Sequence, residues 1–453
     1  MKARNKKENL FRLSIFLLWV FFYSTLGWPE LSFAAEKDPS AVEIISLQKK
    51  PDLISKLRLT VREWDFLLET GEKIYLVAKP EDMTILQSNH IPYSLETPFF
   101  PSARPSLSSI TLTSGANGAY HSYQELAAEL KSLTQKYPAL AQLKELGPTH
   151  EGRYILALKI SDNSALNEPE PGILLLGCHH AREWISVEVP LLIARYLLEH
   201  YQDNLAIQRL VNEAQIWVLP LVNPDGLEYS IRVYRYWRKN RRLNDDGTFG
   251  VDLNRNYGFN WGIDNRGSSP NPASEVYRGP APFSEPETRA VRDLFYENRI
   301  QALISYHSYS QVILYPWGFT TTPAEKNSLL FFLAQRLSDL ITGVNGRRYT
   351  FGQASTLLYL TNGDTTDWAY AVAGIPAFTI ELPPIDILQG GFFNAEADIQ
   401  PIFAENLPAA LDLIGWCVDN FSAEYSLTEQ RLKSPEAKKI STWLKAFKLN
   451  PTY

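Results

Sequence analysis

The chain has 453 residues, 45% hydrophobic and 21% charged, values that exclude disorder, collagen and coiled coil as descriptions of the whole. Lys and Arg number 44 against 50 Asp and Glu, a net charge of −6, so the basic surplus of a non-specific nucleic-acid binder is missing. Two cysteines exclude a disulfide-built scaffold and any cysteine-rich metal cluster.

Residues 1–35 read as a cleaved signal peptide. Lys2, Arg4, Lys6, Lys7 and Arg12 precede or border an apolar run from Leu13 to Tyr23, and Ser32-Phe33-Ala34-Ala35 places small residues before Glu36. The run is shorter than the ~20 residues of a spanning helix, and no later stretch approaches that length. A secreted or periplasmic protein without stable membrane insertion is expected. Residues 36–97 read as a small α/β module. It should contain strands at Leu57–Val61 and Lys73–Ala78, a short helix from Pro80 to Ser88, and a closing strand at Ile91–Leu95. From 98 to 117 the composition turns to Pro, Ser, Thr and Gly, a linker whose one charge, Arg104, is a candidate processing point.

After Tyr120 the pattern becomes strands alternating with helices. Ser122 followed by Glu125 is a capping box opening a helix to Lys136. Strands are expected at Ile155–Ile160, Gly172–Gly177, Ile216–Leu221, Ala302–Tyr306 and Ala377–Leu382. Helices are expected at Ser186–Tyr201, Glu285–Glu297 and Ala404–Val418. Near-continuous apolar strands between helices indicate an α/β fold, a mostly parallel mixed sheet covered by helices on both faces. The tail from Tyr425 is polar and rich in Lys, a solvated helical end.

Past the strand GILLLG stands Cys178-His179-His180-Ala181-Arg182-Glu183. The carboxyl end of a strand is where open α/β sheets place their ligand crevice. A His and a Glu three apart before a helix can share one ion, although that spacing alone often arises by chance. His307 follows the apolar Ala302-Leu303-Ile304-Ser305 in the same setting. Two histidines and one carboxylate with an open fourth position form a catalytic zinc arrangement, whereas a structural site is closed, usually by Cys.

Longer blocks add to this. HAREWIS (180–186), NPDG (223–226), WRKNRR (237–242), GVDLNRNYGF (250–259), SYHSYSQ (305–311), the Tyr359 segment ending in Asp367-Trp368, and FTIEL (378–382) occur in that order. Over roughly residues 118–420 the chain resembles the zinc metallocarboxypeptidases of the carboxypeptidase A/B type. The resemblance implies one zinc ion per chain, held by His180, Glu183 and His307 with water in the fourth place, and a catalytic domain over 118–422 followed by the tail 423–453. It implies Glu381 as general base and Arg238 as the cation that stabilises the oxyanion. It also implies Asn254 and Arg255 as the clamp on a terminal carboxylate, Tyr359 closing over it, and Arg182 with Tyr309 along the substrate backbone. His179 is read as supporting or packing. Lys239, Arg241 and Arg242 are read as surface charges.

The expected activity is exopeptidase cleavage at the C-termini of peptides and proteins, since an endopeptidase would not need a guanidinium clamp for a chain end. The family's specificity position is Thr366, neutral, and Asp364 lies two residues before it, with Leu314 and Leu358 nearby. These imply a mixed preference for hydrophobic and basic C-terminal residues, although Asp364 could instead cap a turn after Asn362-Gly363. Residues 36–117 lie where related enzymes carry a propeptide, so a zymogen with an activating protease is expected, as is a monomer. Neither Cys178 nor Cys417 matches the animal enzymes' disulfide. Two alternatives stand beside this reading: a binding module that has lost its chemistry, and a zinc amidohydrolase acting on N-acyl amino acids or cell-wall peptides.

Overall fold

A computed structural model describes residues 43–50, 53, 57, 65–69, 72–78, 80–96, 118–386 and 389–432. The expected signal peptide, the linker 98–117 and the tail beyond 432 lie outside the described residues.

The N-terminal module is a four-stranded antiparallel sheet with one described flanking helix. Strands β1 (Glu43–Gln48), β2 (Asp65–Glu69), β3 (Lys73–Ala78) and β4 (Ser94–Glu96) lie in the order β2-β3-β1-β4, and α1 spans Pro80–Ser88. Alternation in β1 and β3 sends Ile45, Leu47, Ile74 and Leu76 into one small core with Leu86 of α1. Leu57 is helical and belongs to this core, so the strand expected from it is not there. The alternation at Leu57 and Leu59 mimicked a strand. The rest of that segment, 58–61, lies outside the described residues.

Eight strands form the central sheet of the larger body. They are β5 (Ala141–Pro148), β6 (Tyr154–Ile160), β7 (Gly172–Gly177), β8 (Gln215–Leu219), β9 (Ile300–Ser308), β10 (Val312–Tyr315), β11 (Thr350–Gln353) and β12 (Ala377–Leu382). Their order is β11-β10-β12-β9-β7-β8-β6-β5. The centre, β12-β9-β7-β8, is parallel, and antiparallel pairs flank it on both sides. All of β7 is buried because both faces are covered. Ile173 and Leu175 enter one core and Leu174 and Leu176 the other, as a period of two requires.

Helices α2 (Tyr123–Lys136), α3 (Ile185–Glu199), α4 (Leu205–Asn212), α5 (Pro224–Arg232), α6 (Pro286–Glu297), α7 (Asn327–Asn345), α8 (Ala354–Leu357), α9 (Thr365–Ala373) and α10 (Ile399–Leu432) complete the body. The capping box at Ser122 and Glu125 is formed. The long helix α7 was not expected, and α10 runs further in both directions than the apolar pattern indicated. Among the described residues no helix is long and apolar enough to cross a membrane.

One described contact joins the module to the body, and two more hold the start of the body in place. Tyr75 of the module packs with Tyr309 and Phe392 of the body. At the start of the body, the Tyr120 hydroxyl donates to the Asn394 carbonyl at 3.1 Å. His121 lies between Glu188 and Glu129, 2.8 and 2.9 Å away.

Candidate active site

Three strand ends of the parallel centre build the site. β7 ends at Gly177, where an added Cβ would fall 2.1 Å from the Ser186 carbonyl. Only glycine allows the chain to turn this closely under α3. The turn delivers His180 and Glu183. β9 delivers His307, and β12 sets Glu381 beside His307 in register.

His180, Glu183 and His307 are buried, with one donor atom of each within 4.8 Å of the others. His180 Nδ1 lies 2.8 Å from Glu183 Oε1, and His307 Nδ1 lies 3.0 Å from Glu183 Oε2. The two Nδ1 atoms are 3.1 Å apart.

The surroundings offer an acceptor to one outward nitrogen of each ring. His180 Nε2 faces Asp252 Oδ1 at 3.1 Å, and a carboxylate only accepts, so a proton on Nε2 is satisfied there and leaves Nδ1 available to a metal ion. On the other side, His307 Nε2 can donate to Ser305 Oγ at 3.1 Å, and Ser305 Oγ to His179 Nδ1 at 3.2 Å. His179 Nε2 then donates towards Tyr257 Oη and Thr365 Oγ1, and Thr365 Oγ1 donates to Asn254 Oδ1 at 2.8 Å. Each hydrogen in this chain is used without conflict. In that tautomer the two Nδ1 atoms, 3.1 Å apart, both lie beside the Glu183 carboxylate. Burial opposes charge at both rings and lowers the His180 pKa, whereas Glu183 raises that of His307, so two imidazoles and one buried carboxylate are left to share a cation. A cation that favours imidazole and carboxylate together fits, zinc above all.

Asp252 ties this centre to Arg238. Its Oδ2 accepts from Arg238 Nε at 3.0 Å and Nη2 at 2.8 Å. Against the upward push of burial, Arg238 and His180 hold the Asp252 carboxyl well below the usual carboxylate range. Glu381 differs. Burial pushes it up to about 8, against the pull of His307 and with the push of Glu183.

Arg255 is 2% exposed, donates from Nη1 to the Asn254 carbonyl at 2.7 Å, and keeps a buried Nε that no acceptor reaches among the described residues. Tyr359 is half exposed, with its ring centroid 6.0 Å from the Arg255 guanidinium carbon. Arg182 is buried with its guanidinium 4.3 Å from the Phe392 ring, and Tyr309 meets the same ring.

Asp364 is the N-cap of α9. Its Oδ1 accepts from Asp367 N and Thr366 Oγ1, and its Oδ2 accepts from Thr361 Oγ1 at 2.6 Å. The turn before it needs Gly363 at φ +68°, where a Cβ would meet the Arg255 carbonyl at 2.7 Å. Thr366 and Leu314 are buried, while Leu358 is exposed.

The sequence reading missed Asp252 and Ser305, although both stand inside quoted blocks. It also misplaced the basic run. Lys239 is buried and donates to the Pro272 carbonyl, Arg241 lies over the Tyr229 and Phe249 rings, and Arg242 pairs with buried Glu285. Aromatic rings and buried acceptors, invisible in a charge count, draw these cations inward. Cys178 and Cys417 are both buried, and neither forms a disulfide.

Comparison with known proteins agrees with this geometry. The zinc carboxypeptidase family model matches residues 126–409. Carboxypeptidase B of Astacus astacus is 36% identical over 309 residues, 67% of this chain and 99% of its own. A zinc carboxypeptidase of Saccharothrix mutabilis subsp. capreolus is 33% identical over 71% of this chain and 76% of its own. Among solved structures, thrombin-activatable fibrinolysis inhibitor aligns with TM-score 0.72 and 26% identity, covering 83% of this chain and 99% of that one.

Proposed function

The chain belongs to the zinc carboxypeptidase family, and from that premise we propose that it removes single C-terminal residues from peptides through Glu381, with Arg238 and the Asn254–Arg255 clamp. The observation that carries this reading is the buried, unpartnered Arg255 Nε beside the three-donor centre. A guanidinium left short of an acceptor suits a substrate's terminal carboxylate.

His180, Glu183 and His307 would hold the zinc, whose contribution when bound is Lewis acidity toward the scissile carbonyl and the attacking water. Glu381 takes the proton of that water and passes it to the leaving amine nitrogen. A carboxyl raised to about 8 is suited to both transfers near neutral pH. Arg238, anchored by Asp252, meets the negative charge that develops on the carbonyl oxygen. The Arg255 clamp, closed by Tyr359, fixes the last peptide bond in place, and Arg182 and Tyr309 position the residue before it.

For the side chain of the released residue we propose a pocket with Thr366, Leu314 and Asp364. Asp364 accepts three hydrogen bonds, one fewer than the roughly four acceptor sites of a carboxylate, so its charge remains available to Lys or Arg. The experiment compares release of C-terminal Phe, Lys and Asp from blocked dipeptides by wild type and Asp364→Asn, which keeps the cap. Lys release should fall on the order of tenfold or more with Phe unchanged. Unchanged Lys release would remove Asp364 from the pocket.

The same proposal makes residues 36–117 a removable leader on an exported protein. The packing of Tyr75 against Tyr309 and Phe392 supports a module lying over the substrate approach. The alignment to a protein named as thrombin-activatable covers more of this chain than residues 118–432 make up. N-terminal sequencing of active secreted protein should find no start at Glu36.

A further inference from the structure

The loop 161–171 joins β6 to β7 at the edge of the sheet away from the zinc residues. In it Asp162, Glu168 and Glu170 bring one carboxylate oxygen each within 4.8 Å of the others. Glu168 Oε2 and Glu170 Oε2 are buried, and no donor reaches them among the described residues. A third orphan comes from a different strand. Gln215 opens β8, is 2% exposed, and donates from Nε2 to the Glu168 carbonyl at 2.7 Å, so its amide is fixed against this loop. Its Oε1 is buried and accepts nothing.

No hydrogen bond from a nearby cation reaches these oxygens among the described residues, and the pull of Lys159 on Glu170 does not offset its upward shift. Lys159 donates its Nζ to the Leu166 carbonyl, and Arg299 reaches the loop through the Glu168 carbonyl. Burial, with Glu168 and Asp162 adding to it, pushes the Glu170 carboxyl up to about 7. Buried acceptors without donors and crowded like charges are both costly, and a single cation would relieve both. The other acidic group, Glu285 and Glu287 with His150, differs because Arg242, Asn240 and Ser284 already serve Glu285.

We infer that this loop binds one hard divalent cation, calcium by preference, through Asp162, Glu168, Glu170 and the side-chain oxygen of Gln215. Every donor is oxygen, with no imidazole or thiolate, which selects against zinc and its neighbours. Asp162 is exposed and leaves room for water in the remaining positions, and irregularly placed carboxylate and amide oxygens suit calcium better than the strict octahedron of magnesium. The loop ends at Gly172, where β7 begins its run to His180, so the cation anchors the starting end of the strand that carries the zinc residues.

The test uses full-length, zinc-loaded protein and calcium chloride as the probe, read by calorimetry and by thermal unfolding. Wild type should bind one calcium with a dissociation constant of about 10⁻⁴ to 10⁻³ M, as extracellular sites do. Its Tm should rise by about 2 °C or more at tenfold excess over that constant. Glu168→Gln with Glu170→Gln should lose both responses. Asp162→Asn, at the exposed lip where folding is not at risk, should bind at least about tenfold more weakly. A wild type with no heat and no Tm rise up to about 10 mM calcium, or variants that respond as wild type does, would overturn the site.

Discussion

At the carboxyl edge of the central sheet Asp252 is fully buried, yet it accepts from Arg238 at 2.8 Å and from His180 at 3.1 Å. At the opposite edge Glu168 and Glu170 keep buried oxygens that no donor reaches among the described residues. The sheet supplies the same scaffold to both places, so the contrast comes from what the loops add. One edge brings Arg238, Asn254 and Arg255 on long excursions. The other brings the loop 161–171, which carries three carboxylates and no Lys or Arg of its own. An edge with built-in counter-ions can hold charge ready for chemistry, whereas an edge without them depends on something outside the chain.

That contrast can be broken from the carboxyl side first. Glu381→Gln keeps the shape and the zinc residues but cannot take a proton, and kcat on a blocked C-terminal dipeptide should fall about 10²- to 10⁴-fold with zinc content unchanged. Asp252→Asn should come next. The amide can still meet His180 or Arg238 but carries no charge, so zinc affinity by competition with a chromogenic chelator should weaken about 10- to 100-fold. The smallest effect belongs to Glu287, fully buried and pushed up to about 8 by burial and by Glu285. A raised carboxyl binds its proton in the folded state after the unfolded chain has released it. Wild-type stability therefore drains away between about pH 4.5 and 8 and levels off above. Glu287→Gln lacks that loss, so its unfolding free energy, from denaturant melts, should gain on that of wild type across the same window by a few kcal/mol. A constant difference would mean that Glu287 does not titrate there.

Legibility in the sequence followed how local the cause was. The strand Gly172–Gly177 was readable to the residue because an all-apolar run between glycines has one use in a doubly covered sheet. The start of α2 was readable because its cap lies within four residues. Helix α7 escaped because a broad apolar content over Asn327–Asn345, with no side-chain cap at Lys326, leaves no starting signal. In the site, His180, Glu183 and His307 were accessible through spacing and family resemblance. The support was not: Asp252 lies 72 residues from His180, and the chain from Ser305 through His179 to Thr365 joins three separate elements. Periodicity says which face a residue occupies and nothing about which distant partner waits there. Asp364 shows the reverse case, where a local cap and a distant pocket compete for one carboxylate.

Tyr120 held to the Asn394 carbonyl and His121 held between Glu188 and Glu129 have a bearing on what severing the chain upstream would do. The new end would be moored a few residues inward by bonds to two different elements. The leader could depart while the hem of the large body stayed stitched, and Phe392, two residues from that mooring, would keep its station against Arg182.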